Sequence, residues 1–368
     1  MNTPDRTEFQ EKLTRIRRFF DRTGYEAMVV GRQDNFAWLS CGGSNRVLIT
    51  SETGFTLLVV TRHSVYAVAQ IMDGPRVQHE ELAGLGVESV FLRWYEPSRE
   101  DKAAEIVRGK KTVCDVPVEG ADFLPAAIYG LHYPLTAQEL DKCRRLGAMT
   151  EGVLRRVADA LRPGMTERDA EAMLHYEYAK IDAAPEVLLV GSDQRIAQFR
   201  HCNPTDKKIE RIVLLHPAVK WHGLHANVTR MVCFGQPDGE TLRRYDAASR
   251  IEAAAMACCV PGSKYSDILE KQKALYACTG YADEWKNHFQ GAATGYFLAD
   301  TSFYRNPAAQ IGPNQAWDWF ITITGVKVEE LGLNTEHGFE VASVTGLWPL
   351  REYEADGQTF RLPEILIR

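Results

Sequence analysis

The chain has 368 residues, 45% of them hydrophobic and 25% charged, with a net charge of −6. That composition belongs to a globular protein and excludes disordered and collagen-like chains, while the length exceeds one typical core and points to two domains. The acidic balance, with no basic block longer than Arg17-Arg18 or Lys207-Lys208, excludes a nucleic-acid footprint, and no apolar run approaches the roughly 18 residues that would cross a membrane.

The opening Met1-Asn2-Thr3-Pro4-Asp5-Arg6 is polar and offers no secretory leader core. Phe9, Leu13, Ile16, Phe19 and Phe20 then recur at helical spacing over 7–24, and Gly24 closes the segment. Short apolar runs at 27–30, 47–50 and 55–60, parted by Gly, Asn and Ser, predict strands. Helical stretches near 63–71 and 100–108 alternate with them, so residues 1–134 read as a small α/β domain ending at Pro134. Thr136 and Glu139 form a capping-box pattern ahead of a helix to about Leu161, which Arg162-Pro163-Gly164 breaks. Thr166 and Asp169 cap a second helix to about Lys180. Strand-like runs follow at 186–190, 211–219 and 226–234, then helices at 239–259 and 265–276, then strands at 316–324 and 339–344. Helices set among antiparallel-looking strands predict an α+β domain over 135–368. Eight scattered cysteines with no C-x-x-C pair read as reduced thiols, which places the protein in the cytoplasm.

The second domain resembles the pita-bread fold of the creatinase, prolidase and methionine-aminopeptidase family. The resemblance rests on the helical opening at 135–140, on Leu161-Arg162-Pro163-Gly164, on His201-Cys202-Asn203-Pro204, and on the stretch 213–235 ending Asn227-Val228-Thr229-Arg230. The first domain looks like the amino-terminal domain of the creatinase and prolidase branch. Metal-bearing members hold two divalent ions with two aspartates eleven residues apart, a histidine and two glutamates. Carboxylates suit that task because hard cations prefer anionic oxygen. Here the two aspartate positions are His216 and Asn227, the histidine position is Ala292, and the first glutamate falls near Phe320. Glu329 alone survives. The resemblance therefore implies an enzyme of creatinase type with no metal and no cofactor, acting on a small nitrogen-containing substrate of amino-acid or guanidino kind.

Within that reading His201 is the general acid/base, because an imidazole titrates near neutrality; the alternative is a loop histidine bonding the backbone. Glu329 is either a carboxylate that grips a cationic substrate group or a surface charge beside Glu330. His216 and Asn227 would line the former metal cavity, and a single metal rebuilt on His216 stays open. His288 and Gln290 fall where the family lines its pocket, or form a hydrogen-bonded strand pair. Trp317 and Phe320 are core residues or aromatic walls for substrate. Arg46 is placed to present a guanidinium to the partner subunit's substrate carboxylate, which implies a homodimer. Cys202 has no assigned base, and Arg230 is expected to pair with an interior carboxylate. The competing functions are a catalytically inactive binding module and an Xaa-Pro-type aminopeptidase or prolidase.

Overall fold

A computed structural model describes residues 4–368; the first three residues of the polar opening segment lie outside it. The chain divides into two compact units, Met1–Tyr133 and Pro134–Arg368.

The first unit opens on the helix Arg6–Thr23, capped by the Asp5 carboxylate and ended at Gly24, whose φ of 76° is the left-handed conformation a glycine tolerates. Its sheet has six strands: β1 Ala27–Arg32, β2 Thr53–Thr61, β3 Val65–Gln70, β4 Glu88–Leu92, β5 Thr112–Cys114 and β6 Asp122–Phe123. They lie in the order β4-β3-β2-β1-β5-β6, with β1–β2 and β2–β3 antiparallel and the other pairs parallel. Val29, Leu57, Val59, Val68 and Ala103 join the sheet to the helix Arg99–Ile106 in one core.

Two sequence expectations change here. The run 47–50 is not a strand: Val47, Leu48 and Ile49 are exposed in a turn-rich loop with no strand partner. Residues 65–70 form β3 rather than helix, because Val65, Ala67 and Ala69 on one face pair along β2 and β4.

The second unit is α+β. The capping boxes are formed as the spacing predicts: Thr136 and Glu139 start the helix Ala137–Ala160, and Thr166 and Asp169 start Glu167–Ala179. Strands β7 Ala184–Ser192, β8 Ile212–Trp221, β9 Leu224–Asn227 and β10 Arg230–Cys233 build one sheet, with β17 Leu366–Ile367 on β10. A second sheet holds β11 Ala292–Thr294, β12 Gln315–Ile323, β13 Val326–Thr335 and β14 Gly338–Val341, and β15 Leu350–Ala355 pairs with β16 Gln358–Pro363. The helices Gly239–Cys258 and Tyr265–Cys278 bury Ile251, Met256 and Ile268 against these strands. The expected strand 226–234 is broken at Val228-Thr229, where the chain leaves β9 and Thr229 bridges to Glu329 of β13. That bridge joins the two sheets and locates the site.

Candidate active site

Strands β12 and β13 pair in antiparallel register with Phe320 opposite Glu329, Thr322 opposite Lys327 and Asp318 opposite Leu331, while Ala292 of β11 lies opposite Asp318. Paired residues share a face and alternate residues return to it. Lys327, Glu329, Phe320, Asp318 and Ala292 therefore occupy one face, and Trp317 and Trp319 occupy the other.

Glu329 is almost fully buried, and one of its oxygens collects three donors. Lys327 Nζ lies 2.8 Å from Oε2, His216 Nδ1 2.9 Å, and the Thr229 hydroxyl donates to it at 2.9 Å. Lys327 Nζ also lies 3.4 Å from both ring nitrogens of His216 and sits over the Phe320 ring at 5.7 Å. Burial works against the Glu329 charge, but His216 and Lys327 outweigh it and hold the carboxyl well below the usual range. His216 goes the other way: burial first, with Lys327 adding, pushes it below an ordinary histidine against the pull of Glu329. A neutral His216 therefore turns its Nδ1 proton towards the Thr229 hydroxyl oxygen, 3.0 Å away, and the ionised Glu329. Beside them the Asn227 amide donates to Asp318 Oδ2 at 2.7 Å and to the Leu298 carbonyl at 2.9 Å. Burial, with Glu329 second, pushes the Asp318 carboxyl well above its ordinary value.

His201 is exposed at the outer end, and its Nε2 lies 3.1 Å from Nε2 of His288, the two rings standing 86° apart. His288 Nδ1 is 2.9 Å from the Phe289 carbonyl oxygen. A carbonyl only accepts, so Nδ1 carries the His288 proton and its Nε2 is bare. His201 must then donate from Nε2, which leaves its Nδ1 lone pair free as a base. Burial and then Lys327 push His288 down to about 4, so its ring is neutral beside His201 at pH 7. His201 is also lowered, by burial, Lys327 and His216 in that order, and is neutral at pH 7. Its neighbour Arg200 fixes the loop: Nη2 donates to Glu284 Oε2 at 2.5 Å and to the Thr324 hydroxyl at 3.0 Å. Gly291, with φ at 90°, admits the close approach of Trp319, whose ring would stand 2.3 Å from any Cβ there. That contact seats the His288 segment against β12.

The expected site residues thus divide. His201, His216, Asn227, His288, Phe320 and Glu329 come together. Gln290 does not join them as a ligand group: it is buried, accepting from the Tyr276 hydroxyl and donating to the carbonyls of Trp285 and His288. Trp317 is fully buried on the opposite face of β12, stacked on Trp319 at 5.2 Å, and is core. Arg46 lies half-buried in the exposed loop of the first unit, with no ion-pair partner for its guanidinium among the described residues. Cys202 is a buried thiol raised by that burial and bonded to the carbonyls of Arg195 and Phe199. Arg230 pairs with the interior carboxylate of Glu330 through both amino groups, at 2.5 and 3.1 Å. His225 faces Glu186 and the Gly295 carbonyl, away from His216. Sequence reasoning missed Lys327 and Asp318. The signal for Lys327 was its place two residues before Glu329, which on a strand means the same face.

Residues 141–319 match the family described as metallopeptidase family M24. The second unit is a pita-bread domain. Among solved structures the chain is similar to dipeptidase PepE from Mycobacterium ulcerans, with TM-score 0.76 and 17% identity over 100% of this chain and 99% of that one. It is likewise similar to Xaa-Pro dipeptidase from Bacillus anthracis, with TM-score 0.74 and 16% identity over 98% and 100%. These likenesses establish the fold: an amino-terminal α/β creatinase-like domain followed by the pita-bread domain. A curated relative, the probable dipeptidase PepE of Mycobacterium bovis, is 26% identical over 217 residues, 54% of this chain and 56% of its own length. This chain spans about three fifths of the length of other curated relatives that it matches. Among the described residues no helix is long and apolar enough to cross a membrane.

Proposed function

We propose that the M24-type unit is a hydrolase that cleaves a C–N bond in a small nitrogen-containing substrate without a bound metal, with His201 as general acid and base. The observation that carries this reading is the Lys327 ammonium on Glu329 Oε2. The family description implies divalent metal, and the donor set does not fit it. The surviving carboxylate oxygen already holds an ammonium, an imidazole N–H and a hydroxyl; Ala292 and Phe320 offer no donor atom. Asn227 is turned onto Asp318, and among the described residues no group of three or more His, Cys, Asp or Glu is arranged to hold a metal ion.

The chemistry then falls to the chain's own groups. His201 Nδ1 takes a proton from water as the water oxygen bonds to the substrate carbonyl carbon. The same proton passes to the departing nitrogen as the C–N bond breaks. His288 holds the His201 ring with Nε2–H inward throughout. The relatives that are dipeptidases support an amide as the bond attacked, and they also favour a second reading, a metal-bearing dipeptidase rebuilt around His216.

Elemental analysis of the purified protein separates the two readings, with turnover of a dipeptide and amino-acid-amide panel measured with and without chelator. The first reading expects no stoichiometric Mn, Co or Zn and chelator-insensitive turnover. One or two tightly held ions per chain, lost together with activity, would overturn it.

A further inference from the structure

The strongest constraint on substrate lies in how the inner charges are already paired. We infer that Lys327 sets the substrate class: it fills the cation seat at Glu329 from within the chain, so the inner end of the site takes an uncharged amide group and not a guanidinium or an ammonium. This deepens the hydrolase reading and rests on it.

Two carboxyl groups stand on the site face of β12 and β13: Asp318, which is bonded to the Asn227 amide, and Glu329, which carries the Lys327 ammonium. All three donors to Glu329 converge on Oε2, and among the described residues none bonds Oε1. A ligand therefore meets one free acceptor oxygen on a carboxylate whose charge is already balanced at 2.8 Å. A cationic ligand would enter beside a buried ammonium, losing hydration with no uncompensated anion to receive it. An anionic ligand would meet Glu329 in the same way. An amide brings no charge: its N–H can donate to Oε1 and its carbonyl can accept from the remaining Lys327 protons. The three imidazoles are all held below the ordinary histidine range and add no positive charge that would call for a counter-ion. The guanidino substrates that the sequence suggested are thereby set aside in favour of the amide class.

Binding tests this without reference to turnover or metal content, so failure here leaves the hydrolase reading standing, and the reverse holds too. The histidine ring resonances of the full chain, assigned through single substitutions, are followed during titration with N-acetylglycinamide, methylguanidinium and methylammonium. In the wild type only the neutral amide should give saturable shifts at His201, His216 and His288.

Lys327→Met leaves Glu329 unbalanced and should raise methylguanidinium affinity about tenfold or more, a decade being roughly 1.4 kcal/mol. Lys327→Arg should keep the wild-type preference. Lys327→Met combined with Glu329→Gln should cancel the gain. Circular dichroism checks that each variant is folded, and Lys327→Gln carries the test should the methionine variant not fold. Wild-type binding of methylguanidinium as tight as that of the amide, absence of any amide shift, or an unchanged cation affinity in folded Lys327 variants would each overturn the assignment.

Discussion

Replacing His201 by alanine should separate catalysis from folding. Positioned acid–base catalysis is worth about 10²–10⁴-fold, or roughly 3–5 kcal/mol of barrier. The His201 ring is exposed, and its one side-chain polar contact among the described residues is the 3.1 Å bond to His288. Such a bond contributes about 1 kcal/mol at most near the surface, so a domain of this size should lose no more than about 4 °C in Tm. The pH profile adds a second arm. A base works when deprotonated, and His201 lies below the ordinary histidine value of about 6.5. The kcat/KM plateau should therefore extend below pH 6.5 before falling, and this acid limb should vanish in the residual activity of His201→Ala. The assay is steady-state turnover of the best dipeptide or amide substrate between pH 4.5 and 9, with thermal melts alongside, the range being set to about two units on each side of neutrality. Wild-type turnover in the variant, or an acid limb that persists unchanged, would show that the proton is handled elsewhere, and His216 would be the next group to test.

Lys327→Met should shift the same acid limb to higher pH, because the ammonium is among the groups that lower His201 and His288; a limb that stays put or moves down refutes the coupling. Arg230→Met should lose about 3–5 kcal/mol in urea unfolding, since a fully buried guanidinium leaves Glu330 without its partner. That loss should shrink in acid as carboxylates protonate, Glu330 itself being raised to about 7 by burial. Stability should also fall as pH drops from about 6.5 towards 4, the window between an ordinary histidine and His288 at about 4. The unfolded state there binds protons that the folded rings refuse, with a slope up to about 1.4 kcal/mol per pH unit for each group, and constant stability across this window would contradict the assignment. Finally, a homodimer is proposed, and light scattering should give twice the mass of one chain; a monomer at working concentration would remove Arg46 from consideration as a group acting on the other subunit.

The fold was legible where local chemistry is decisive. Thr136 with Glu139 and Thr166 with Asp169 are reciprocal caps whose geometry needs nothing beyond four residues, and both helices start where those pairs stand. The errors came where partners decide. Val47, Leu48 and Ile49 have strand-like chemistry but no neighbouring strand, so they stay exposed in a loop. Val65, Ala67 and Ala69 are short enough to suit either period, and only β2 and β4 on each side make them a strand. β13, which carries Glu329, reads as a mixed polar run because Lys327, Glu329 and Glu330 are buried by pairing with charges from far along the chain.

The site was legible in its residues and not in its electrostatics. Composition at the motif positions shows which groups are present, and His201, His216, Asn227, Phe320 and Glu329 do converge. It cannot show how many donors share one oxygen. A glutamate with no cation nearby would grip a positively charged substrate, which is the role the sequence suggested for Glu329. The same glutamate with an ammonium at 2.8 Å is a neutral pair, and its remaining oxygen is a hydrogen-bond acceptor. Two facts make the difference: the two-residue period of a strand places Lys327 on the face of Glu329, and the bridge from Thr229 to Glu329 brings His216 onto that same oxygen. The second belongs to register between sheets and is absent from any local stretch of sequence. What distinguishes an amide-binding inner site from a cation-binding one is therefore a lysine that is visible in sequence and a contact between sheets that is visible only in the fold.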